Sequence, residues 1–145
     1  MTQRLLFRKI LVAHDGSEPA DRAFEKALAL TILTGVQLHV IFVAEPPLFA
    51  ATIHGVVRFK ETTEKRFKDL SKKLQDRAER VTVRAHIEYG RTVETIVEYI
   101  QNHDFDLLVI GAMGRSNVFK RLIGNWCSTA HNLARLAPCT VLIVK

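Results

Sequence analysis

Three glycines near the end of the chain are spaced to bring backbone amides against an anion. Leu107-Leu108-Val109-Ile110 reads as a buried apolar strand ending at Gly111. Gly114 follows in a loop with Met113, Arg115 and Ser116, and a helix opens near Gly124-Asn125-Trp126-Cys127-Ser128-Thr129. Glycine lets a ligand approach backbone N–H groups that a Cβ would shield. A helix N-terminus adds unpaired N–H groups and the positive end of the helix dipole. Phosphate is the anion such a loop suits, although three glycines serve equally as turn and capping residues.

The elements around this loop read as successive βα units, which argues for a parallel sheet. Phe7 to Ala13 is a first strand, apolar on consecutive residues as a strand buried on both faces should be. Asp15-Gly16-Ser17 turns the chain. Ser17 is a good N-cap, Glu18 and Asp21 suit the first helical turn, and Pro19 is tolerated there. Phe24, Ala27, Leu28 and Thr31 form the inward stripe of the helix that Gly35 ends. Val36 to Val43 is a second strand, after which Glu45-Pro46-Pro47 forbids helix. Leu48 to Gly55 is an apolar loop suited to a lid or a partner surface.

A basic helix is expected from about Val57 to Glu79, with Phe59, Thr63, Phe67, Leu70 and Leu74 facing in. Val81 to Glu88 alternates as an edge strand. Thr92 caps a short helix striped by Val93, Ile96, Val97 and Ile100, and Asp106 leads into the fourth strand. The last helix turns Ala130, Leu133, Ala134 and Ala137 inward, Pro138 closes it, and a final strand runs almost to Lys145. No repeat, linker or low-complexity segment interrupts the chain, so one domain over residues 1–145 is expected.

The spacing Gly111, Gly114, Gly124 resembles the nucleotide-binding signature of the universal stress protein family. Ile10-Leu11-Val12-Ala13-His14-Asp15-Gly16-Ser17-Glu18 resembles that family's first strand and Asp-Gly-Ser turn. Leu38-His39-Val40 resembles its second strand, and Ala137-Pro138-Cys139-Thr140-Val141-Leu142-Ile143-Val144 its last. The resemblance spans essentially the whole chain. It implies an α/β fold of three layers, Rossmann-like and of the adenine nucleotide alpha hydrolase type, with an open five-stranded parallel sheet. The strand order 3-2-1-4-5 comes from the resemblance, not from the pattern of residues. Ligands of such sheets bind beyond the carboxyl ends of the strands where the order reverses, here between the first and fourth.

The resemblance also implies roles. Asp15 would sit near the adenine and ribose end or near a phosphate-bound Mg²⁺, and Val40 would contact the adenine. Gly111, Gly114 and Gly124 would bring the loop, with Met113 in it, close to ribose and phosphates, helped by the backbone around Arg115 and Ser116. Asn125 and Trp126 would lie at the helix start where the terminal phosphates bind, with Arg115, Lys120 and Arg121 offsetting charge. The family has Ser or Thr where this chain has Asn125. An asparagine amide can still cap a helix and donate to phosphate, but Asn125 and Trp126 are bulkier than the residues expected there. The implied cofactor is ATP or another adenine nucleotide, with Mg²⁺ possible. The implied assembly is a homodimer through the apolar C-terminal edge strand, since such an edge needs covering.

The composition, 48% hydrophobic and 25% charged over 145 residues, is that of a globular domain. No apolar run approaches the roughly 20 residues of a membrane-spanning helix. The N-terminal stretch around Arg4, Arg8 and Lys9 lacks the core and cleavage site of a signal peptide. Cys127 and Cys139 fit no metal or disulfide framework, so a cytoplasmic home with two free thiols is expected. The net charge of +6 gathers between Arg58 and Arg84, where bases interleave with acids at helical spacing as on a solvated helix face. Nucleic acid is therefore not the expected partner.

The Walker and dinucleotide glycine patterns are absent, and His14, His39 and His54 match no standard metal spacing. No residue is placed as a convincing catalytic base, so ATP hydrolysis or autophosphorylation would at most be slow. The expected function is a homodimeric stress-response switch that binds an adenine nucleotide. Two alternatives are a nucleotide-free interaction scaffold of the same fold and, more weakly, an enzyme of the wider nucleotide-binding superfamily.

Overall fold

The computed structural model describes residues 6–47, 52–112 and 129–145. Five parallel strands form one sheet: β1 (Lys9–Ala13), β2 (Gln37–Ala44), β3 (Val83–Tyr89), β4 (Leu107–Gly111) and β5 (Thr140–Val144). Their spatial order is β3-β2-β1-β4-β5, so it reverses between β1 and β4 as expected. Among the described residues the helices are α1 (Glu18–Thr34), α2 (Ile53–Ala78), α3 (Thr92–His103) and α4 (Thr129–Leu136).

Alternation along the central strands divides the core between the sheet's two faces. Ile10, Val12, Leu38, Val40, Leu107 and Val109 pack with Phe24 and Ala27 of α1 and Leu74 of α2. Leu11, Ala13, Ile41, Leu108 and Ile110 pack with Ile96 and Ile100 of α3 and Leu133 of α4. At the sheet's lower end the Asp106 carboxylate accepts from the N–H groups of Arg8 and Lys9, at 2.9 to 3.1 Å. This fixes the start of β1 beside the start of β4.

Local chemistry sets α1 as its residues require. The Ala20 N–H donates to the Ser17 hydroxyl at 3.3 Å, and Gly35 adopts a left-handed φ of 71° that ends the helix. The expected stripe of Phe24, Ala27, Leu28 and Thr31 is buried. Elsewhere the boundaries shift. Thr52 caps α2, accepting from the Gly55 N–H at 3.1 Å, so the helix starts within the segment expected to be a loop. Thr92 is the first residue of α3 and not its cap. Arg91 occupies the cap position without a side-chain bond, and the Thr92 N–H instead donates to Glu45. Val81 precedes β3, and Ala134 is exposed because α4 buries only Ala130 and Leu133.

Candidate functional site

The parallel register sets Ala13 at the end of β1 beside Ile110 of β4. The turn that leaves β1 and the glycine that ends β4 therefore lie at the same end of adjacent strands, where the strand order reverses. Asp15 is exposed, and its carboxylate accepts from the Ser17 N–H at 3.0 Å, which closes an Asx-type turn. Gly16 takes a φ of 83°, a left-handed value that favours glycine.

Gly111 has a reason of its own to be glycine. A Cβ there would lie 2.5 Å from the Pro19 carbonyl oxygen, so α1's first turn packs directly on the end of β4. The Ala112 N–H then donates to the Val144 carbonyl at 2.8 Å, carrying the β4–β5 ladder one residue further. Gly111 thus shapes the crevice wall through packing, whatever else it does.

Val40 pairs with Val12 and Ala85, and its side chain lies in the core on the α1/α2 face, 2% exposed. Its neighbour Ile41 reaches the upper end of the sheet, where its carbonyl accepts from the His14 N–H at 3.0 Å. The structure brings Asp15 and Gly111 to the same end of adjacent strands, with Val40 one strand away inside the sheet. Met113, Gly114, Arg115, Gly124, Asn125 and Trp126 lie outside the described residues, as do Lys120, Arg121 and Cys127. Cys139 is a free thiol, pushed up by burial.

His14 matters more than a lone histidine in the sequence suggests. Its side chain is fully buried beneath the Asp15 turn. The Gly16 N–H donates to its Nδ1 at 3.0 Å, so that nitrogen carries no proton. The proton is on Nε2, which faces the Asp21 carboxylate at 3.0 Å. Asp21 also accepts an ion pair from Lys73 of α2 at 3.0 Å. Burial lowers the His14 pKa below its ordinary value, outweighing the opposing pull of Asp21. The contact with Asp21 is therefore a neutral donor on a carboxylate. Burial also pushes the Asp21 carboxyl up, but Lys73 and His14 together hold it below the usual range. The only hint in the sequence is that His14 adjoins Asp15, because the Lys73 partner lies 52 residues from Asp21.

Two concavities among the described residues lie outside the gap between the ends of β1 and β4. One is a shallow groove on α2 lined by Asp69, Lys72, Lys73, Asp76 and Arg77, on the helix whose Lys73 also meets Asp21. The other is a cleft of about 600 Å³ at the lower end, lined by Thr31, Gly35, Val81 and Arg84. Neither sits at a reversal of strand order, where an open α/β sheet leaves room for a ligand. No group of His, Cys, Asp and Glu among the described residues could hold a metal ion.

The sequence model of the universal stress protein family matches residues 6–145. A universal stress protein of Thermus aquaticus is 30% identical, over 97% of this chain and all of its own length. The structure of the universal stress protein UspA from Lactobacillus plantarum superposes with a TM-score of 0.82 at 25% identity, covering 95% of this chain and 97% of that one. A universal stress protein crystallised in complex with cAMP superposes with a TM-score of 0.73 at 26% identity, covering 96% and 97%. With the strand order and the paired ends of β1 and β4 already in place, these likenesses fix the family: the chain belongs to the universal stress proteins.

Proposed function

We propose that this chain is a cytoplasmic stress-response switch that binds an adenine nucleotide, ATP foremost, in the crevice beyond β1 and β4. The observation that carries the reading is the register of Ala13 on Ile110, which sets the Asp15 turn beside the end of β4 at the switch point of the sheet. The cAMP complex of a relative 26% identical supports the ligand class. On this reading Asp15 and the backbone near Val40 hold the base and ribose. Gly111, Met113, Gly114 and Arg115 surround the ribose and phosphates, and Gly124, Asn125 and Trp126 meet the terminal phosphates, with or without Mg²⁺. Nucleotide occupancy acts by changing partner affinity, and any hydrolysis is slow. The protein works as a homodimer through β5, whose Leu142 and Ile143 are each 39% exposed.

The test begins by denaturing purified protein and analysing the small molecules released, then titrating ATP with and without Mg²⁺. Gly114→Val should abolish ATP binding while the circular dichroism spectrum stays native. Undiminished affinity in that variant would remove the glycine loop from the site. If the wild type releases no nucleotide and binds none at millimolar concentration, the scaffold reading prevails. One observation favours that second reading: Ile53, Val56 and Val57 at the start of α2 are 83%, 45% and 50% exposed. These three side chains form an exposed apolar patch suited to a protein partner.

A further inference from the structure

We infer that His14 is a positioning residue for the nucleotide crevice. It braces the Asp15-Gly16-Ser17 turn from beneath and ties that turn through Asp21 to Lys73 on α2. The inference rests on the nucleotide reading of the crevice and adds to it a residue from the strand end together with a route to a second helix.

Two short bonds define the turn. The Asp15 carboxylate accepts from the Ser17 N–H, and the buried His14 Nδ1 accepts from the Gly16 N–H, both at 3.0 Å. Each bond closes a small ring across two residues, and together they fix the left-handed Gly16 between them. A Cβ at Gly16 would meet nothing within 4 Å, so the left-handed φ of 83°, and not crowding, is what favours glycine there. The imidazole cannot rotate away. Its ring is fully buried, its backbone N–H is engaged by Ile41, and its far nitrogen faces Asp21. Asp21 in turn is 19% exposed and held by the Lys73 ammonium.

A shift of α2 that withdrew Lys73 would loosen Asp21, then the imidazole, then the turn that presents Asp15. Linkage makes this reciprocal, so a ligand ordering the turn also favours the docked α2. The C-terminal part of α2 that carries Lys73 and the nucleotide crevice are thereby ends of one hydrogen-bonded path.

The experiment compares wild type, His14→Val, His14→Asn and Lys73→Met for affinity to cAMP and ATP, with thermal stability measured alongside. Valine removes the acceptor for Gly16, whereas asparagine restores one. His14→Val should weaken nucleotide binding about three- to tenfold, the worth of one hydrogen bond, and His14→Asn should recover most of it. Lys73→Met should weaken binding about twofold in the wild type and not at all in His14→Val, the non-additivity expected of one path. Imidazole nitrogen shifts of the wild type should show a neutral ring with the proton on Nε2, a readout that does not need a folded variant. The inference is overturned if wild type binds nucleotide and His14→Val binds as tightly. It is equally overturned by asparagine that rescues nothing, or by a proton on Nδ1. Wild type that binds no nucleotide brings down the crevice reading itself, a different failure from a tight-binding His14→Val.

Discussion

Each face of the sheet buries one histidine deeply, and the two are treated differently. His14 lies on the α1/α2 face, 3% exposed, with both ring nitrogens matched to groups of fixed role. His39 lies on the α3/α4 face, 7% exposed, and its Nδ1 meets another imidazole, the Nε2 of His86, at 3.0 Å. Those two rings lie side by side and nearly parallel, centroids 5.2 Å apart, with Phe105 edge-on to His39 and the Lys9 ammonium over the Phe105 ring. Only one of the two facing nitrogens can carry a proton. Burial pulls the His39 pKa down to about 4, with His86, Lys9, Arg84 and His103 adding repulsion. His86 is lowered by burial and by His103, against a weaker pull from Glu88. Burial lowers both histidine sites, and the neighbours decide how far: a carboxylate restrains the fall at His14, and cations deepen it at His39.

The comparison breaks first if the two faces are not one cooperative unit. Phe24 is fully buried on the α1/α2 face, and Ile96 is 1% exposed on the other. Phe24→Ala should cost about 3–5 kcal/mol and Ile96→Ala about 2–5 kcal/mol, each leaving a cavity that the sheet cannot fill. In denaturant, both variants should unfold in a single transition, read identically by fluorescence and far-ultraviolet circular dichroism. Separate transitions would mean that the faces hold their histidines independently.

Acid sharpens the contrast. A histidine whose folded pKa lies below its unfolded value of 6.5 contributes stability that is complete above pH 6.5. That contribution is lost as pH falls towards the folded value. For His39 the window runs from 6.5 to about 4. At about 1.4 kcal/mol per unit, the loss amounts to up to about 3 kcal/mol. His39→Gln keeps an acceptor for His86 and cannot titrate, so its unfolding free energy should fall less steeply across that window. An unchanged slope would assign the acid sensitivity to other groups.

How much of this could be read from the residues depends on how far apart the partners lie. The start of α1 was legible because Ser17, Pro19 and the stripe of Phe24, Ala27, Leu28 and Thr31 act within a few residues of one another. The start of α2 was not, since Leu48 to Gly55 carries an apolar run without a helix signal until Thr52 is known to cap it. Strand order came only through the resemblance, because ladder pairing joins residues that no local pattern links. His39 and His86 are 47 residues apart, and each read singly looks like an ordinary core or surface histidine. Gly111 could be read as a ligand glycine from its spacing, yet its close contact with Pro19 emerges only when β4 is set beside α1.

The smallest expected effect on folding comes at β5, the last strand of the sheet. Val144 is buried with the α1/α2 core and Val141 packs against the α3/α4 core, but Leu142 and Ile143 remain partly exposed, one to each face. Among the described residues the strand pairs with β4 on one side only, which leaves its other backbone edge open there to a second strand. Leu142→Glu and Ile143→Glu should each change the unfolding free energy of the monomer by less than about 1 kcal/mol, as surface substitutions do. If the proposed dimer forms through this edge, either variant buries an unpaired carboxylate at the interface and should sediment as a monomer at tens of micromolar. A larger loss for one variant would identify the face that mates more closely. Wild type that sediments as a monomer under the same conditions would leave β5 an uncovered edge and remove the dimer from the proposed function.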